Sequence, residues 1–467
     1  MMKKSTADIL PECLIEKIVS YLSFKDAAKM SILSKTWLRS WLIHPNIEFK
    51  YPGGNSVVDT IMNRYRDEKI PIDKFELSYS YNPEVPQPID KWLFIALEND
   101  VKCIFYRVPN FALSILIILE AKSLRELVVE CSKLMPVILF SSRIPYCTCL
   151  RKLSLTRVKL DEYMLQTLLN CCPLIVNFIF EYCIGLEEIE LLNLRKIKSV
   201  TIKTRTEPKQ VVKIRAPTLE HLSYHGYLSE NLDIIECENL KSLDISYMEM
   251  SGFLQKLISK SQLLKDLKIQ HCKGEVEIDS SNLESIEYMG YEIPKLKIAR
   301  QLKKLKIDHS CSGSLKAAWF YNLRKFLSNS TSCPQVSLWF SQCNEINLTD
   351  LHYGVATPKV DVLNMSCRWT NGECATFLDA LLWSCHPRRL NIQSTSATFK
   401  CFINRLIYLK NLSQYSPGHS QFKEAQVYMF DFDDDKSQSW RPVQLKIGEL
   451  STRIVSETVD YFFLLDW

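Results

Sequence analysis

The chain has 467 residues, of which 58 are basic and 53 acidic, so its formal net charge is only +5. A charge this small over this length gives no strong field for nucleic acid or for an anionic membrane surface, and we expect a protein partner instead. Hydrophobic residues make up 46% of the chain, as in a folded protein. The length exceeds one ordinary core, so the chain should form several units or a stacked repeat array.

Cysteine content and the N-terminal residues predict a reducing compartment. The chain has 17 cysteines, an odd number, and Glu12, Glu16 and Lys17 interrupt any apolar core of a signal peptide. The longest apolar run, residues 111–119, is far shorter than the roughly 20 residues that cross a bilayer. We therefore expect a cytoplasmic or nuclear protein without a membrane partner.

Residues 8–41 have the apolar spacing of three short helices. Pro11 can begin the first helix, because its missing N–H would have no partner there. Apolar residues then recur at helical spacing along one stripe, namely Leu10, Leu14, Ile15, Ile18, Val19 and Leu22. After a break at residues 23–26, a second helix should follow with the apolar residues Ala27, Ala28 and Ile32. Ser34 can cap a third helix, which ends before Pro45 and holds Trp37, Leu38 and Trp41.

This arrangement resembles the plant version of an F-box, the helical motif that docks onto the Skp adaptor of SCF-type cullin ubiquitin ligases. The resemblance depends on Leu10-Pro11, on the spaced Ile15, Ile18 and Leu22, on Ala27-Ala28, and on Leu33-Ser34-Lys35 followed by Trp37. It implies that residues 8–45 dock the adaptor through Leu10, Pro11, Leu14, Ile15, Ile18, Leu22, Ala28, Leu33 and Trp37. From the residue pattern alone, the alternative is an ordinary three-helix cap on a larger domain.

A six-residue phrase, apolar-x-x-apolar-x-apolar, dominates the chain after Trp41. It places its fourth and sixth residues on one side of a strand. Nine copies, separated by 19 to 26 residues, begin at Leu124, Leu150, Ile175, Ile197, Leu219, Leu240, Leu264, Leu283 and Leu302. This spacing is close to the roughly 20 to 29 residues of a leucine-rich repeat. An extra copy, Leu186/Ile189/Leu191, lies midway between two starts and makes the register there ambiguous.

Weaker copies extend the array upstream to about residue 70 and downstream to about residue 395. One repeat cannot bury its own apolar face, so stacked neighbours should close the core. We predict an α/β protein in which a short N-terminal three-helix F-box (residues 8–45) precedes a curved leucine-rich-repeat solenoid with a parallel concave sheet (residues 70–395). Residues 396–467 would cap the solenoid or form a small α/β unit. Amphipathic helices are predicted between strands at residues 161–170, 250–259 and 375–384.

Motifs for catalysis or metal binding are missing from the sequence. The patterns G-x-x-x-x-G-K-[ST], G-x-G-x-x-G and G-x-S-x-G do not occur, and only 12 glycines leave little scope for a phosphate-binding loop. The cysteines at positions 147, 149, 171 and 172 lack the paired C-x2-C spacing of a structural zinc site. We therefore predict no catalytic residue, no metal site and no cofactor.

The F-box-like start and the repeats together resemble plant F-box leucine-rich-repeat proteins along nearly the whole chain. Phrases at residues 383–390 and 461–467 support the same family. The resemblance implies a non-catalytic substrate receptor of an SCF ubiquitin ligase, whose partners are a Skp-type adaptor, a cullin scaffold and an unknown protein target. Two alternatives are an F-box repeat receptor that senses a small ligand and a protein-interaction scaffold without a degradation target.

We predict target binding on the strand face between residues 219 and 310, where the repeat is most regular. Residues between the apolar anchors point outward there, and their charge changes sign from strand to strand, which suits a protein partner better than a polyanion. The predicted target-binding residues are Lys241, Asp244, Lys265, Lys268, Glu287, Lys303 and Lys306. The alternative for this face is a merely solvated surface.

Overall fold

The computed structural model describes residues 10–50, 55–79, 89–109, 112–114, 121–131, 133–135, 147–192, 194–204, 210–226, 232–250, 252–274, 276–280, 282–290, 292–298, 302–309, 315–329, 333–351, 356–370, 375–394, 401–409, 424–431, 439–443 and 459–466. The chain forms two compact units, Met1–Cys237 and Glu238–Trp467. Helices begin the first unit and parallel strands follow in both. The predicted mixed α/β class, with N-terminal helices before a parallel sheet, is therefore confirmed.

Three short helices begin the first unit: α1 (Glu12–Tyr21), α2 (Phe24–Met30) and α3 (Lys35–Leu42). The Pro11 carbonyl accepts the first hydrogen bonds of α1, from the Leu14 N–H at 2.9 Å and from the Ile15 N–H at 3.1 Å. Pro11 thus begins the helix as predicted.

Two serines set the starts of the next two helices. The Ser23 hydroxyl accepts from the Asp26 N–H at 3.1 Å, so α2 starts at Phe24, inside the break predicted at residues 23–26. Ser34 caps α3 as predicted. Ile32 was expected within the second helix, but it lies beyond the end of α2 and is 86% exposed.

The first unit also contains α4 (Asn55–Glu68), α5 (Ile89–Glu98) and α6 (Glu162–Cys171). Its strands are β1 (Asn46–Lys50), β2 (Lys74–Ser78), β3 (Cys103–Arg107), β4 (Ala112–Ser114), β5 (Glu126–Glu130), β6 (Lys133–Met135), β7 (Lys152–Thr156), β8 (Asn177–Glu181), β9 (Glu188–Leu191), β10 (Ser199–Lys203), β11 (Val211–Arg215), β12 (His221–His225) and β13 (Leu232–Glu236).

The main sheet of the first unit pairs β1, β2, β3, β5, β7, β8, β10 and β12 in parallel, in that order. The register keeps equivalent residues of the phrase side by side. For example, the fourth residues Phe75, Ile104, Leu127, Leu153 and Phe178 are adjacent across five strands and are at most 3% exposed. Stacking of neighbouring repeats therefore closes the core, as the repeat pattern requires.

The ambiguous copy Leu186/Ile189/Leu191 belongs to a second sheet. It forms β9, which pairs in parallel with β11, and β11 pairs with β13. All three of its apolar residues are at most 1% exposed. Between residues 186 and 236, the chain thus alternates strands of the main sheet with strands of this second sheet, and the phrase occurs in both.

The second unit contains the helices α7 (Phe253–Lys260), α8 (Ala317–Ser328) and α9 (Ala375–Ser384). Its strands are β14 (Ser242–Ser246), β15 (Asp266–Gln270), β16 (Glu277–Asp279), β17 (Ser285–Met289), β18 (Lys295–Ile298), β19 (Lys304–His309), β20 (Cys333–Cys343), β21 (Lys359–Thr370), β22 (His386–Ser394), β23 (Glu424–Asp431), β24 (Ser439–Val443) and β25 (Val459–Asp466). The three helices predicted between strands occur as α6, α7 and α9.

The sheet of the second unit changes direction near the C-terminus. Strands β14, β15, β17, β19, β20, β21 and β22 pair in parallel, and β25 then pairs antiparallel with both β22 and β23. Phe463 and Leu465 of β25 are 0% and 5% exposed. The described part of residues 396–467 therefore consists of a helix at residues 401–409 and of strands that continue the sheet in antiparallel arrangement after its last parallel strand.

A recurring turn follows several strands. Tyr182, directly after β8, has a left-handed φ of 54°, and His271, directly after β15, has 51°. In the first unit the next residue, Cys183, donates its S–H to the Leu155 carbonyl at 3.3 Å. Gly185 then has a φ of +97°, and a Cβ there would lie 2.4 Å from the Leu160 carbonyl oxygen. This turn requires glycine at position 185.

Candidate functional site

The N-terminal helices enclose a small core of their own. Ile15, Val19, Ala27 and Trp37 form it with exposures of 0%, 1%, 0% and 5%, and Leu22, Met30 and Trp41 pack against it. This corrects the prediction for Ile15 and Trp37 as adaptor contacts, because their side chains have almost no surface for a partner. They hold the helices together instead.

A row of exposed apolar residues lies along α1 and the two residues before it. Leu10, Leu14 and Ile18, four residues apart, are 41%, 46% and 39% exposed. Residues at this spacing lie on the same face of a helix. We call these three residues the docking row. Exposed apolar side chains that cluster in this way mark an interaction surface more often than isolated ones do.

The other predicted adaptor contacts lie around the docking row with different exposures. Leu33, between α2 and α3, is 39% exposed, and Pro11 is also exposed. Leu22 and Ala28 are half-buried, so only part of each side chain can reach a partner. The involvement of these residues in adaptor binding stays a prediction.

The helices are joined to the sheet through a buried histidine, which the sequence reasoning missed. His44 is 0% exposed, and its Nε2 lies 3.0 Å from the Val19 carbonyl oxygen of α1. Its Nδ1 accepts from the Asn46 N–H of β1 at 3.0 Å, and its carbonyl accepts from the Tyr65 hydroxyl at 2.6 Å. The bonding requires the tautomer in which Nε2 carries the proton.

An aromatic contact strengthens this joint. Phe24 of α2 packs edge-on against Phe49 of β1, with ring centroids 6.0 Å apart, and against His44 at 5.8 Å. The helical bundle is therefore packed against the first strand of the sheet.

Four of the predicted target-binding residues lie on the open face of the second-unit sheet, where they pair with one another. The register aligns Asp244, Lys268, Glu287 and Lys306 in one row across β14, β15, β17 and β19. The Lys268 ammonium lies 3.6 Å from the Asp244 carboxylate, and Lys306 lies 2.9 Å from Glu287. The alternating signs seen in the sequence are thus matched within the chain.

Two further predicted lysines share one carboxylate. Lys303 and Lys265 lie 2.7 Å and 3.0 Å from Glu284. Hydrogen bonds from Lys303, which has the larger effect, and from Lys265 hold the pKa of the Glu284 carboxyl below its usual value. Lys241 is exposed just before β14. Target binding by these residues stays a prediction, and exposed ion pairs of this kind contribute little stability.

A polar ladder crosses the last parallel strands of the second unit. The side-chain amide of Asn364 donates to the Ser337 hydroxyl at 3.1 Å, and that of Asn391 donates to the side-chain Oδ1 of Asn364 at 2.6 Å. Arg389 continues the ladder by donating to Asn391 at 2.8 Å. The sequence carried a signal for it, since Asn364 and Asn391 occupy the same position of the phrase.

A ring of four charged residues lies on the first two strands of the first unit. Lys74 lies 3.3 Å from Glu48 and 2.7 Å from Glu76, and Lys50 lies 3.4 Å and 3.1 Å from the same two carboxylates. Burial alone would raise the pKa of Glu76, but hydrogen bonds from Lys74 and Lys50 leave it below the usual value. The ring is electrically neutral when all four groups are charged.

Among the described residues, no cluster of His, Cys, Asp and Glu could hold a metal ion. Burial raises the pKa of the Cys183 thiol to about 12, so it is a poor nucleophile. No helix in the described ranges is long and apolar enough to cross a membrane, and most of residues 111–119 lie outside those ranges.

Comparison with known families assigns both parts of the chain. The F-box domain model matches residues 8–48, and the model described as "At1g61320/AtMIF1, LRR domain" matches residues 61–259. Residues 8 and 9 of the F-box match lie outside the described ranges.

Proteins of Arabidopsis thaliana are similar to the chain. The FBD-associated F-box proteins At3g52670 and At5g38590 are 27% and 28% identical over 57% and 54% of this chain. The F-box/LRR-repeat protein At3g03360 is 24% identical over 44% of it. The matches span 66%, 63% and 44% of the relatives' own lengths, less than two thirds in each case. With an F-box followed by leucine-rich repeats, the chain belongs to the plant F-box/LRR-repeat proteins.

Proposed function

We propose that this protein is the substrate-recognition subunit of an SCF-type ubiquitin ligase, in which the F-box docks a Skp-type adaptor and the repeats hold a protein target. The observation that carries the proposal is the docking row. The bundle already buries Ile15, Val19 and Trp37, yet leaves Leu14 and Ile18 of α1 exposed, together with Leu10 just before the helix. A partner that covered this row would remove apolar surface from water, at about 25 cal/mol per Å².

The proposed mechanism is proximity. A cullin scaffold would hold a charged conjugating enzyme near the lysines of a target that the repeats have bound, which raises the effective concentration of the reacting groups. The receptor itself would contribute binding and orientation only. The family supports a receptor role, and the described residues provide no positive evidence of catalysis.

Substitutions in the docking row test adaptor binding. We expect the double variant Leu14→Ala, Ile18→Ala to lose adaptor affinity by about 30-fold or more, because truncation of an interface hot spot costs about 2 kcal/mol. Affinity for a purified Skp-type adaptor is measured by calorimetry. The stability of the free protein should change by less than about 0.5 kcal/mol, since these side chains are exposed.

Ile15→Ala is the matched control, one residue away on the buried face. It should cost about 2 to 5 kcal/mol of stability, because Ile15 is 0% exposed. If the exposed double variant captures the adaptor as well as the unsubstituted protein, the docking row is not the interface. If the unsubstituted protein binds no adaptor, the proposed function itself is wrong.

A further inference from the structure

The open face of the first-unit sheet carries a row without charged residues. One residue comes from the middle of each of the adjacent strands β3, β5, β7, β8 and β10, and the register places them side by side: Phe105, Val128, Ser154, Ile179 and Thr201. We call these five residues the uncharged row. Their neighbours along each strand are buried in the core, so the row faces away from it, although Ser154 at its centre is only 6% exposed.

Apolar residues are unexpected at these positions. Phe105, Val128 and Ile179 are half-buried on the face of the sheet opposite the core. On the equivalent face of the second unit, the middle positions of β14, β15, β17 and β19 are all charged. The first unit therefore offers apolar surface where the second offers ion pairs, and apolar and aromatic anchors dominate the energy of protein interfaces.

Charged residues of both signs border the uncharged row. On one side Lys152 lies 3.4 Å from Glu126. On the other side Arg107 pairs with Glu130, and Lys203 lies 2.8 Å from Glu181. An apolar centre with a polar rim is the usual anatomy of a protein interface. Charges of both signs also complement a protein partner with mixed flanks rather than a polyanion.

A pit of about 160 Å³ lies at one end of the row. Phe105 and Val128 contribute to its lining, together with the ion pairs Lys50–Glu76, at 3.1 Å, and Arg107–Glu130. Apolar surface beside hydrogen-bonding groups suits an aromatic side chain with a polar tip. The Lys74 ammonium lies 4.8 Å from the Phe105 ring centroid at the same end of the row.

We propose that the uncharged row binds an extended segment of the target protein, with an aromatic side chain in the pit and charged residues on both flanks. Crossing the four gaps between five strands, at about 4.8 Å each, the segment would span about 19 Å, or about six extended residues. The inference rests on the proposed receptor function and moves the target surface from the second unit to the first.

The test uses a displayed library of random eight-residue peptides, selected on the full-length protein. We expect the enriched peptides to share a central aromatic residue with charges on its flanks. The triple variant Phe105→Thr, Val128→Thr, Ile179→Thr should bind these peptides at least tenfold more weakly, while threonine preserves the preference for strand. A single Val128→Glu variant, which puts a charge into the row, gives the same readout if the triple variant does not fold.

The matched control is Lys268→Gln, Lys306→Gln on the second unit, which should bind the selected peptides within about twofold of the unsubstituted protein. Equal binding by the row variants, or selection without a shared aromatic residue, would overturn the proposal. Loss of binding in the control alone would return the target surface to the second unit. Adaptor affinity is measured on the same proteins, so a failure of the receptor role is seen separately from a failure of this surface.

Discussion

Replacing Gly185 by alanine should destabilise the first unit locally, for two reasons that the structure separates. The backbone at Gly185 has a φ of +97°, which costs a residue with a side chain about 1 to 3 kcal/mol. The new Cβ would also lie 2.4 Å from the Leu160 carbonyl oxygen, so one of the two chain segments must move. That movement strains the hydrogen bonds from Leu160 N–H to the Ile184 carbonyl (3.0 Å) and from Ile184 N–H to the Val158 carbonyl (2.9 Å).

The expected cost is the sum of these effects. Losing one of the two hydrogen bonds costs about 1 kcal/mol, so the substitution should cost about 2 to 4 kcal/mol in all. Gly252→Ala is the control, because Gly252 also has a positive φ, +72°, but among the described residues no heavy atom outside its chain neighbours and its own helix lies within 4 Å of the added Cβ. It should cost only about 1 kcal/mol, from the backbone conformation alone.

Urea denaturation followed by circular dichroism gives the stability of each variant, and native-state hydrogen exchange gives the location of the change. In Gly185→Ala the amides of Leu160 and Ile184 should exchange faster, and amides of the second unit should not change. Equal losses of stability in the two variants would show that the contact with Leu160 adds nothing, and the reasoning from close approach would be refuted.

Two further predictions concern the second unit. Burial first, then the charges of Arg324 and Lys359, lower the pKa of His386 to about 4. Between about pH 6.5 and pH 4 the folded state therefore binds fewer protons than the unfolded state, and the stability of the protein should fall as the pH drops through this window. His386→Gln should remove part of that fall in thermal melts at pH 7 and pH 5. Phe463→Ala should lower the free energy of unfolding by about 3 to 5 kcal/mol, because Phe463 is 0% exposed on the strand between β22 and β23. If urea denaturation of this variant shows a loss of less than about 1 kcal/mol, β25 does not contribute to the core.

The spacing of apolar residues predicted where the strands lie, because one face of each strand is buried. Leu153 and Leu155, for example, are 0% and 1% exposed on β7, at the fourth and sixth positions of their phrase. In the first helix, the spacing of apolar residues could not show which residues of the stripe are buried and which stay exposed. Ile15 and Ile18 belong to one stripe by spacing, and only the packing of α3 onto α1 buries the first while the second stays exposed.

The length of each repeat contained information about what connects its strands. Starts 25 and 24 residues apart, at Leu150 and Leu240, enclose the helices α6 and α7, whereas starts 19 residues apart, at Leu264 and Leu283, enclose the short strands β16 and β18. A helical turn rises about 1.5 Å per residue and a strand about 3.3 Å, so a connection of fixed span needs fewer residues as a strand.

Ion pairing across strands could not be predicted without the register. Lys268 and Asp244 are 24 residues apart in sequence, and Lys306 and Glu287 are 19 apart, yet each pair occupies the same position of the phrase on adjacent strands. Once the strands are known to be parallel and in step, these partners follow. The sequence alone showed the charges as outward-facing, which is correct, but it did not show that they face each other.

The joint around His44 fixes the distance between the docking row and the strands of the first unit. The histidine bonds to α1, β1 and α4 at once, and Phe24 packs on Phe49 beside it, so the docking row and the strands of the sheet belong to one compact body. In the proposed ligase, an adaptor on one part of this body and a target on another would be held at a set separation. Which lysines of the target receive ubiquitin would then depend on where along the target the bound segment lies. A flexible linker inserted after His44 would make this choice of lysines less specific, without weakening the binding of the adaptor or of the target.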